Sequence, residues 1–237
     1  MRSLALAALF GLVAAAPAAS AQESRSFMVT GVDRVRVDGP YDVRVVTGVA
    51  SSAKVEGDRD AVQRLMVRVD GGTLVVTAST DSSLGGRRGS ATPTLVTITV
   101  PIAIRAALIN GGGRLSVDRM KGQRVDLSVN GAGTLRVDAI DAGELAATLT
   151  GTGMMTLGGK AARATFGSYG AGSIDAAGMM ANDLMVQSGS SGNGSFAARF
   201  TARVTTSGLG EVVVAGQPKC VVSGSGPIRC GDTPAAN

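Results

Sequence analysis

The sequence predicts an all-β protein of the β-solenoid class, in which successive coils of one chain stack on one another. Gly-x-Gly elements recur through the second half of the 237-residue chain, and apolar residues alternate with polar ones on both sides of each element. Glycine contributes 34 residues, about twice the usual share of about 7%. Alternation with a period of two is typical of strands with one buried face, and stacking gives such strands a common core.

Residues 1–21 have the pattern of a cleaved secretory signal peptide. Arg2 precedes an apolar run over residues 4–16, and Ala19-Ser20-Ala21 is a small-residue cleavage site. The apolar run is shorter than the roughly 20 residues that a membrane span needs. We therefore expect an exported protein that is periplasmic, outer-membrane associated or extracellular, with no transmembrane segment after signal cleavage.

Residues 22–109 form a strand-rich N-terminal part that is expected to open and cap the solenoid, because open strand edges promote aggregation. A tight turn at residues 70–72 follows one strand, and a helical turn is predicted over residues 58–64 with Asp58 or Asp60 as its N-cap. A flexible loop over residues 81–93 is the best internal linker candidate. The alternating or β-branched segments predicted to be strands are residues 35–37, 41–46, 53–55, 65–69, 73–78 and 95–100.

Residues 110–231 carry the glycine-turn repeats of the solenoid. Residues two and four positions after each second glycine are apolar, as Leu115 and Val117 illustrate, so they are expected to point inward. A short polar residue usually precedes the first glycine and can bond the local backbone at a bend. The glycines assigned to structural turns are Gly111, Gly113, Gly131, Gly133, Gly151, Gly153, Gly170, Gly172, Gly192, Gly194, Gly208, Gly210, Gly224 and Gly226.

The two cysteines fall in the last predicted coil. Cys220 lies four residues before Gly224 and Cys230 four residues after Gly226, so both are expected to point inward. Export favours a disulfide between them, and the alternative is a pair of reduced cysteines packed as small apolar residues. Residues 232–237 are expected to form a disordered tail.

The composition excludes several classes of function. The chain has no His and two Cys, so it cannot build a Ser-His-Asp triad, a His-ligated zinc site or a four-thiolate metal site. We expect no catalytic residue, cofactor or metal. The formal charge is +5 with scattered basic residues, which favours at most weak affinity for anionic envelope polymers and no binding to nucleic acid.

The glycine turns also fail two ligand-binding patterns. A dinucleotide site needs Gly-x-Gly-x-x-Gly between a strand and a helix, and no repeat supplies the third glycine or the helix. Calcium-binding rolls need an Asp after Gly-Gly-x-Gly, and the turn at residues 111–115 lacks it. We interpret these glycines as structural.

A polysaccharide lyase is the enzyme alternative. Asp118 and Asp138 share one position in successive coils, and Arg136 shares its position with Asp175 two coils later, which is the kind of carboxylate and basic cluster that a lyase presents on one strand face. The same residues fit a solvated ladder edge whose charges prevent unwanted strand pairing.

Aromatic and methionine residues give few recognition candidates. Phe166 and Phe196 occupy inward positions, whereas Tyr169 sits at a turn and is the one aromatic side chain expected to take part in recognition. Met179, Met180, Met154 and Met185 fit gap filling in the core, or an adaptable apolar patch.

The ordered combination of segments resembles the putative auto-transporter adhesin, head GIN domain family. The similar segments are the opening strands at residues 35–37 and 41–43, the strand at 74–76, the ending at 100–101, the segment 216–218 and the final turn at 223–226. The resemblance covers residues 27–230. It implies a right-handed, single-stranded β-helix in an exported or envelope protein, an adhesin role and no established catalytic residues.

We therefore expect a non-catalytic exported envelope protein, an adhesin-type or interaction module that presents its outward strand ladders to a polymer or protein partner. The alternatives are a carbohydrate-active enzyme of the β-helix lyase type and a structural or lipid-contacting periplasmic protein. The partner and the oligomeric state stay open at this stage.

Overall fold

The structure is a computed structural model that describes residues 22–79 and 94–231. The expected signal peptide of residues 1–21, the loop of residues 81–93 and the tail of residues 232–237 lie outside the described residues. The described chain is all-β apart from one short helix, and its strands form a β-solenoid of about six coils. The predicted fold class is confirmed.

The N-terminal part contains all six strands that the sequence predicts, plus one more. Its elements are β1 (Gln22–Phe27), β2 (Arg34–Asp38), β3 (Asp42–Thr47), β4 (Ser52–Asp58), α1 (Arg59–Gln63), β5 (Leu65–Asp70), β6 (Thr73–Ala78) and β7 (Leu95–Val100). The additional strand, β1, has no apolar alternation, and it forms because it pairs antiparallel with β4.

Helix α1 begins as the sequence predicts. Asp58 is its N-cap, and the Asp58 side chain accepts a hydrogen bond of 3.0 Å from the backbone amide of Asp60. The tight turn between β5 and β6 is also present, since Gly71 and Gly72 both have positive φ. The sequence predicts both features because the helix start and the turn each depend on residues that are adjacent in the chain.

The second part begins with β8 (Ala106–Gly111) and continues through long strands that each form most of a coil. These strands are β9 (Arg114–Gly131), β10 (Thr134–Gly151), β11 (Met154–Gly170), β12 (Ser173–Ser190) and β13 (Gly194–Thr206), followed by β14 (Val212–Gly216), β15 (Lys219–Gly224) and β16 (Ile228–Cys230). The strands pair in parallel and in sequential order from β9 to β13.

Two pleated faces enclose the core. On the first face, β7 and β3 pair with the first half of β9, and the stack ends with β14 and β16. On the second face, β6, β2 and β8 pair with the second half of β9, and the stack ends with β15. Inward residues such as Leu115, Leu135 and Met155 are fully buried between the faces. Phe166 and Phe196 also pack in the core, with ring centroids 4.8 Å apart.

The two ends of the stack differ. At the N-terminal end, antiparallel strands β4 and β1 extend the first face beyond β7, antiparallel β5 extends the second face, and α1 packs beside them. At the C-terminal end, β15 pairs with β13 alone and β16 with β14 alone, within the described residues. The N-terminal end therefore ends in antiparallel strands, whereas the other end of the described chain is an open parallel edge. The capping role of the N-terminal part stays a prediction.

Glycines let the turns stack closely. Gly131 and Gly151 have φ of 116° and 118°, a region that other residues resist. The backbone amides of Thr152 and Gly153 donate to the Gly131 carbonyl one coil earlier, at 2.9 and 3.0 Å. A Cβ on Gly133 would lie 2.9 Å from the carbonyl oxygen of the preceding coil. The distance between coils therefore leaves no room for a side chain at these positions.

The fifth turn lies two residues before the predicted Gly192 and Gly194. Ser190 pairs with Gly170, Gly192 lies against Gly172, and Gly194 already begins β13. The buried Ser190 hydroxyl donates to the Gly172 carbonyl at 2.8 Å and accepts from the Gly192 amide at 3.0 Å. A hydroxyl that bonds the local backbone thus stands where the other coils carry a first glycine.

The turn column also extends into the N-terminal part. Gly39 has φ of 123°, its amide donates to the Asn110 carbonyl at 3.0 Å, and Gly113 packs directly against it. Residues 34–47 therefore form a coil of the same stack in addition to carrying the cap. The domain boundary at residues 109 and 110 stays a prediction.

Cys220 and Cys230 form a disulfide with a Cα–Cα distance of 6.4 Å. The bridge joins β15 on the second face to β16 on the first face, and so links the two faces at the open end. Cys220 pairs with the buried Ala202, as the inward prediction requires, but Cys220 is exposed because no described coil covers this end.

Candidate ligand-binding face

The outward side of the second face is the most continuous candidate surface, and we call it the groove face. It is formed by β6, β2, β8, the second halves of β9 to β13, and β15. The parallel register places outward side chains in straight ladders that run along the stack, one residue for each coil, about 4.8 Å apart.

Short side chains line the centre of the groove face. One ladder contains Ala106, Asp126 and Ala146, and the next contains Ser128, Thr148 and Gly167. Because these side chains are short, longer ones on both sides stand above them. A cavity of about 420 Å³ lies over this strip near β2 and β8, and Arg34 and Arg36 also line it.

A second cavity of about 400 Å³ lies on the groove face near the C-terminal end of the stack. Arg163, Asp183, Met185, Arg203, Lys219 and Val221 are among its lining residues. Asp183 accepts a hydrogen bond of 2.6 Å from the Thr201 hydroxyl. The cavity therefore combines basic groups with exposed apolar side chains.

A charged ladder borders the groove. Arg124 pairs with Asp126 at 3.0 Å and approaches Glu144 of the next coil at 3.7 Å, and the ladder continues through Arg163 and Asp183. These side chains are largely exposed, so their pairs contribute little to stability and remain available to exchange partners.

An amide ladder borders the other side of the groove. The Asn130 amide donates to the Asn110 side-chain oxygen at 3.1 Å, and Asn110 donates to Asp38 at 2.6 Å. Partial burial raises the pKa of Asp38, but the bonds from Arg36 and Asn110 outweigh it and hold the pKa below its usual value. The Asp38 carboxylate is therefore anionic at neutral pH and fixes the start of this ladder.

Tyr169 continues the amide ladder and is the exposed aromatic side chain that the sequence singled out. Its side chain is 45% exposed, and it borders a cavity of about 250 Å³ with Gln187, Thr205 and Ser207. A ring beside amide and hydroxyl groups offers both stacking and hydrogen bonding to a sugar-like ligand. Phe166 and Phe196 are buried in the core, as predicted, so a ligand cannot contact their rings.

The methionines divide between the two roles that the sequence left open. Met179 is buried and fills the core, whereas Met154 is 52% exposed on the first face. Met185 faces outward from the groove face. The four therefore do not form one patch.

The residues considered for a lyase site lie on or beside the first face, and each has a local partner. Asp118 accepts from the Thr47 amide and hydroxyl at 2.7 and 3.1 Å, and the Arg136 guanidinium donates to Asp138 at 2.8 Å. Asp175 accepts weakly from a backbone amide two residues on. Arg136, Asp138 and Asp175 border a cavity of about 380 Å³, but Asp118 binds Thr47 instead. The arrangement matches the charged ladder edge better than a set of acid, base and substrate groups.

No cluster of three or more His, Cys, Asp or Glu side chains suited to holding a metal ion occurs in residues 22–79 and 94–231. In the same part of the chain, no helix has the length and apolar character needed to cross a membrane.

Sequence reasoning missed the groove face as a site. Its residues are short and polar, and their types carry no motif; their importance comes from the register that aligns them across coils. The one usable signal was the run of small residues at matched repeat positions, such as Ala146, Thr148 and Gly167.

Comparisons with known proteins agree with this architecture. The family model described as Putative auto-transporter adhesin, head GIN domain, matches residues 32–218. The fold is similar to that of a putative adhesin from Bacteroides fragilis, with a TM-score of 0.79, 18% identity, and coverage of 90% of this chain and 97% of the other. It is also similar to a putative lipid binding protein from Parabacteroides distasonis, with a TM-score of 0.67, 19% identity, and coverage of 89% and 96%. No curated protein matches the chain.

Proposed function

Because the chain belongs to the putative auto-transporter adhesin, head GIN domain family, we propose that it is an exported, non-catalytic adhesin-type module that binds an extended envelope polymer along its groove face. The observation that carries this proposal is the strip of short side chains that the central coils place between a charged ladder and an amide ladder. A linear polymer lying along the stack would meet outward side chains of successive coils at a regular spacing of about 4.8 Å.

The chemistry of the borders favours a polysaccharide. Tyr169 supplies a partly exposed ring, and Gln187 and Thr205 supply amide and hydroxyl groups beside it. Sugars present an apolar ring face edged by hydroxyls, which suits an aromatic side chain flanked by hydrogen-bonding groups. Many weak contacts along the groove would add up in the manner of multivalent binding.

The location that goes with this proposal is the cell surface. The disulfide supports export to an oxidising compartment. Protease treatment of intact cells of the producing bacterium would test the surface location. Cleavage from outside supports the adhesin role, whereas full protection with release alongside periplasmic contents would contradict it.

Binding is tested with the labelled mature chain and envelopes isolated from the producing bacterium. We expect saturable binding that falls at least about fivefold in Tyr169→Ala, since loss of a stacked ring costs on the order of 1 kcal/mol or more. Met154→Ala is the matched control, because Met154 is 52% exposed and lies on the first face, away from the groove. An equal loss in both variants, or no binding by the unaltered chain, would refute the proposal.

A further inference from the structure

The exposed side chains at the open C-terminal end combine basic and apolar character. We call Arg199, Phe200, Arg203, Lys219, Val221 and Val222 the terminal patch. Phe200, Val221 and Val222 are 53%, 57% and 53% exposed, values that are high for large apolar side chains. Val222 points along the core direction, since it pairs with the buried Val204, and it is exposed because no described coil follows.

The basic members of the terminal patch lie close together in the strand register. Lys219 pairs with Thr201, and Arg203 pairs with Val221. Arg199 lies over the Phe200 ring, 5.1 Å from its centroid. None of the three has an ion-pair partner among the described residues, whereas Arg229 of the last coil is paired with Glu211 at 2.7 Å. The patch therefore presents uncompensated positive charge beside exposed apolar surface.

The opposite end of the molecule also exposes apolar side chains, such as Met28 and Val49, but its charges balance. Residues 22–79, which contain the antiparallel cap, have eight basic and eight acidic side chains. Residues 195–237 have four basic side chains, Arg199, Arg203, Lys219 and Arg229, and two acidic ones, Glu211 and Asp232. The two ends of the chain therefore differ in charge, because residues 22–79 have no net charge and residues 195–237 have a net charge of +2.

From this asymmetry we propose that the terminal patch docks the solenoid end-on to a membrane surface that contains anionic phospholipid. Basic side chains near such a surface bind lipid phosphates, and apolar side chains enter the boundary between headgroups and acyl chains. A second copy of the chain fits this end less well, because two patches that meet end to end would bring like charges together. Arg203, Lys219 and Val221 also line the cavity at the C-terminal end of the groove face, so docking would cover that end of the groove and leave its central coils free. The proposal rests on the exposed end of the stack and does not depend on the polymer-binding function.

The test is co-sedimentation of the mature chain with vesicles of phosphatidylcholine alone or of phosphatidylcholine and phosphatidylglycerol in equal parts. We expect binding to the mixed vesicles that weakens as salt is raised. The double variant Arg203→Gln with Lys219→Gln should bind about 25-fold more weakly, since each basic side chain near the surface contributes about a factor of five. Phe200→Ser with Val221→Ser should also lose binding.

Matched variants distinguish this site from general charge and apolar effects. Arg44→Gln with Arg119→Gln removes the same charge from exposed positions elsewhere, and Val49→Ser with Ile102→Ser removes side chains that are 100% and 70% exposed. We expect both to bind within twofold of the unaltered chain. Equal binding to the two kinds of vesicle, equal loss in the matched variants, or a dimer by light scattering that conceals the patch would each overturn the proposal.

Discussion

At the residue scale, the stacked glycine turns make the sharpest prediction. Gly151 has φ of 118°, and a Cβ there would meet the Gly131 carbonyl, so Gly151→Ala should lower the free energy of unfolding by about 3 kcal/mol. Gly112→Ala is the matched control, because Gly112 has no atom within 4 Å of its Cβ position. It should change stability by less than about 0.5 kcal/mol in urea unfolding followed by circular dichroism. Similar losses in both variants would mean that the turns are not closely stacked.

Asp38 makes a prediction about pH. Burial raises its pKa, but the bonds from Arg36 and Asn110 lower it below the value expected in the unfolded chain. Its stabilising contribution is therefore present above the unfolded pKa and is lost as the pH falls through the folded pKa. Asp38→Asn should remove about 1 kcal/mol at neutral pH and flatten the acid limb of the stability curve. A parallel downward shift at every pH would contradict this account.

At the element scale, the disulfide holds the last strand of each face. Its loop is short, so the double variant Cys220→Ser with Cys230→Ser should lose at most about 3 kcal/mol. Hydrogen exchange should show faster opening of β15 and β16 and unchanged protection in β10. Uniform loss of protection along the whole stack would show instead that the bridge acts on the entire chain.

The elements differ in how well the sequence predicts them. Alternation predicts the inward positions, because burial between two faces leaves a residue-by-residue pattern, as in Leu135 and Val137. Strand β1 has no such pattern. It was not predicted because it forms by pairing with β4, a partner about 30 residues away in the chain. The fifth turn was misplaced because Ser190 stands where the other turns have a glycine. The Ser190 hydroxyl bonds the backbone at Gly172 and Gly192, and no glycine marks this position in the sequence. The groove face needs the register of all coils and could not be found from any one of them.

At the scale of the whole molecule, the stack is nearly one-dimensional, because each coil contacts mainly its neighbours. The N-terminal end gains antiparallel strands and α1, while the last described coil lacks a neighbour on one side. Coil stability should therefore depend on distance from the open end. The same asymmetry places exposed apolar and basic groups at the end where, among the described strands, β15 and β16 each have one unpaired edge.

This asymmetry predicts the order in which the stack opens. In native-state hydrogen exchange, the free energy of opening should be lowest in β15 and β16, rise through β13 and β12, and reach the global value in β10 and β11. The physical reason is that opening a terminal coil exposes one interface, whereas opening a central coil breaks two. Vesicles with phosphatidylglycerol should raise protection in β15 and β16 first, because a ligand stabilises the state that it binds. Opening that begins at the capped end would contradict the predicted opening order. Protection that vesicles add first in the groove strands of β9 and β10 would contradict the end-on docking.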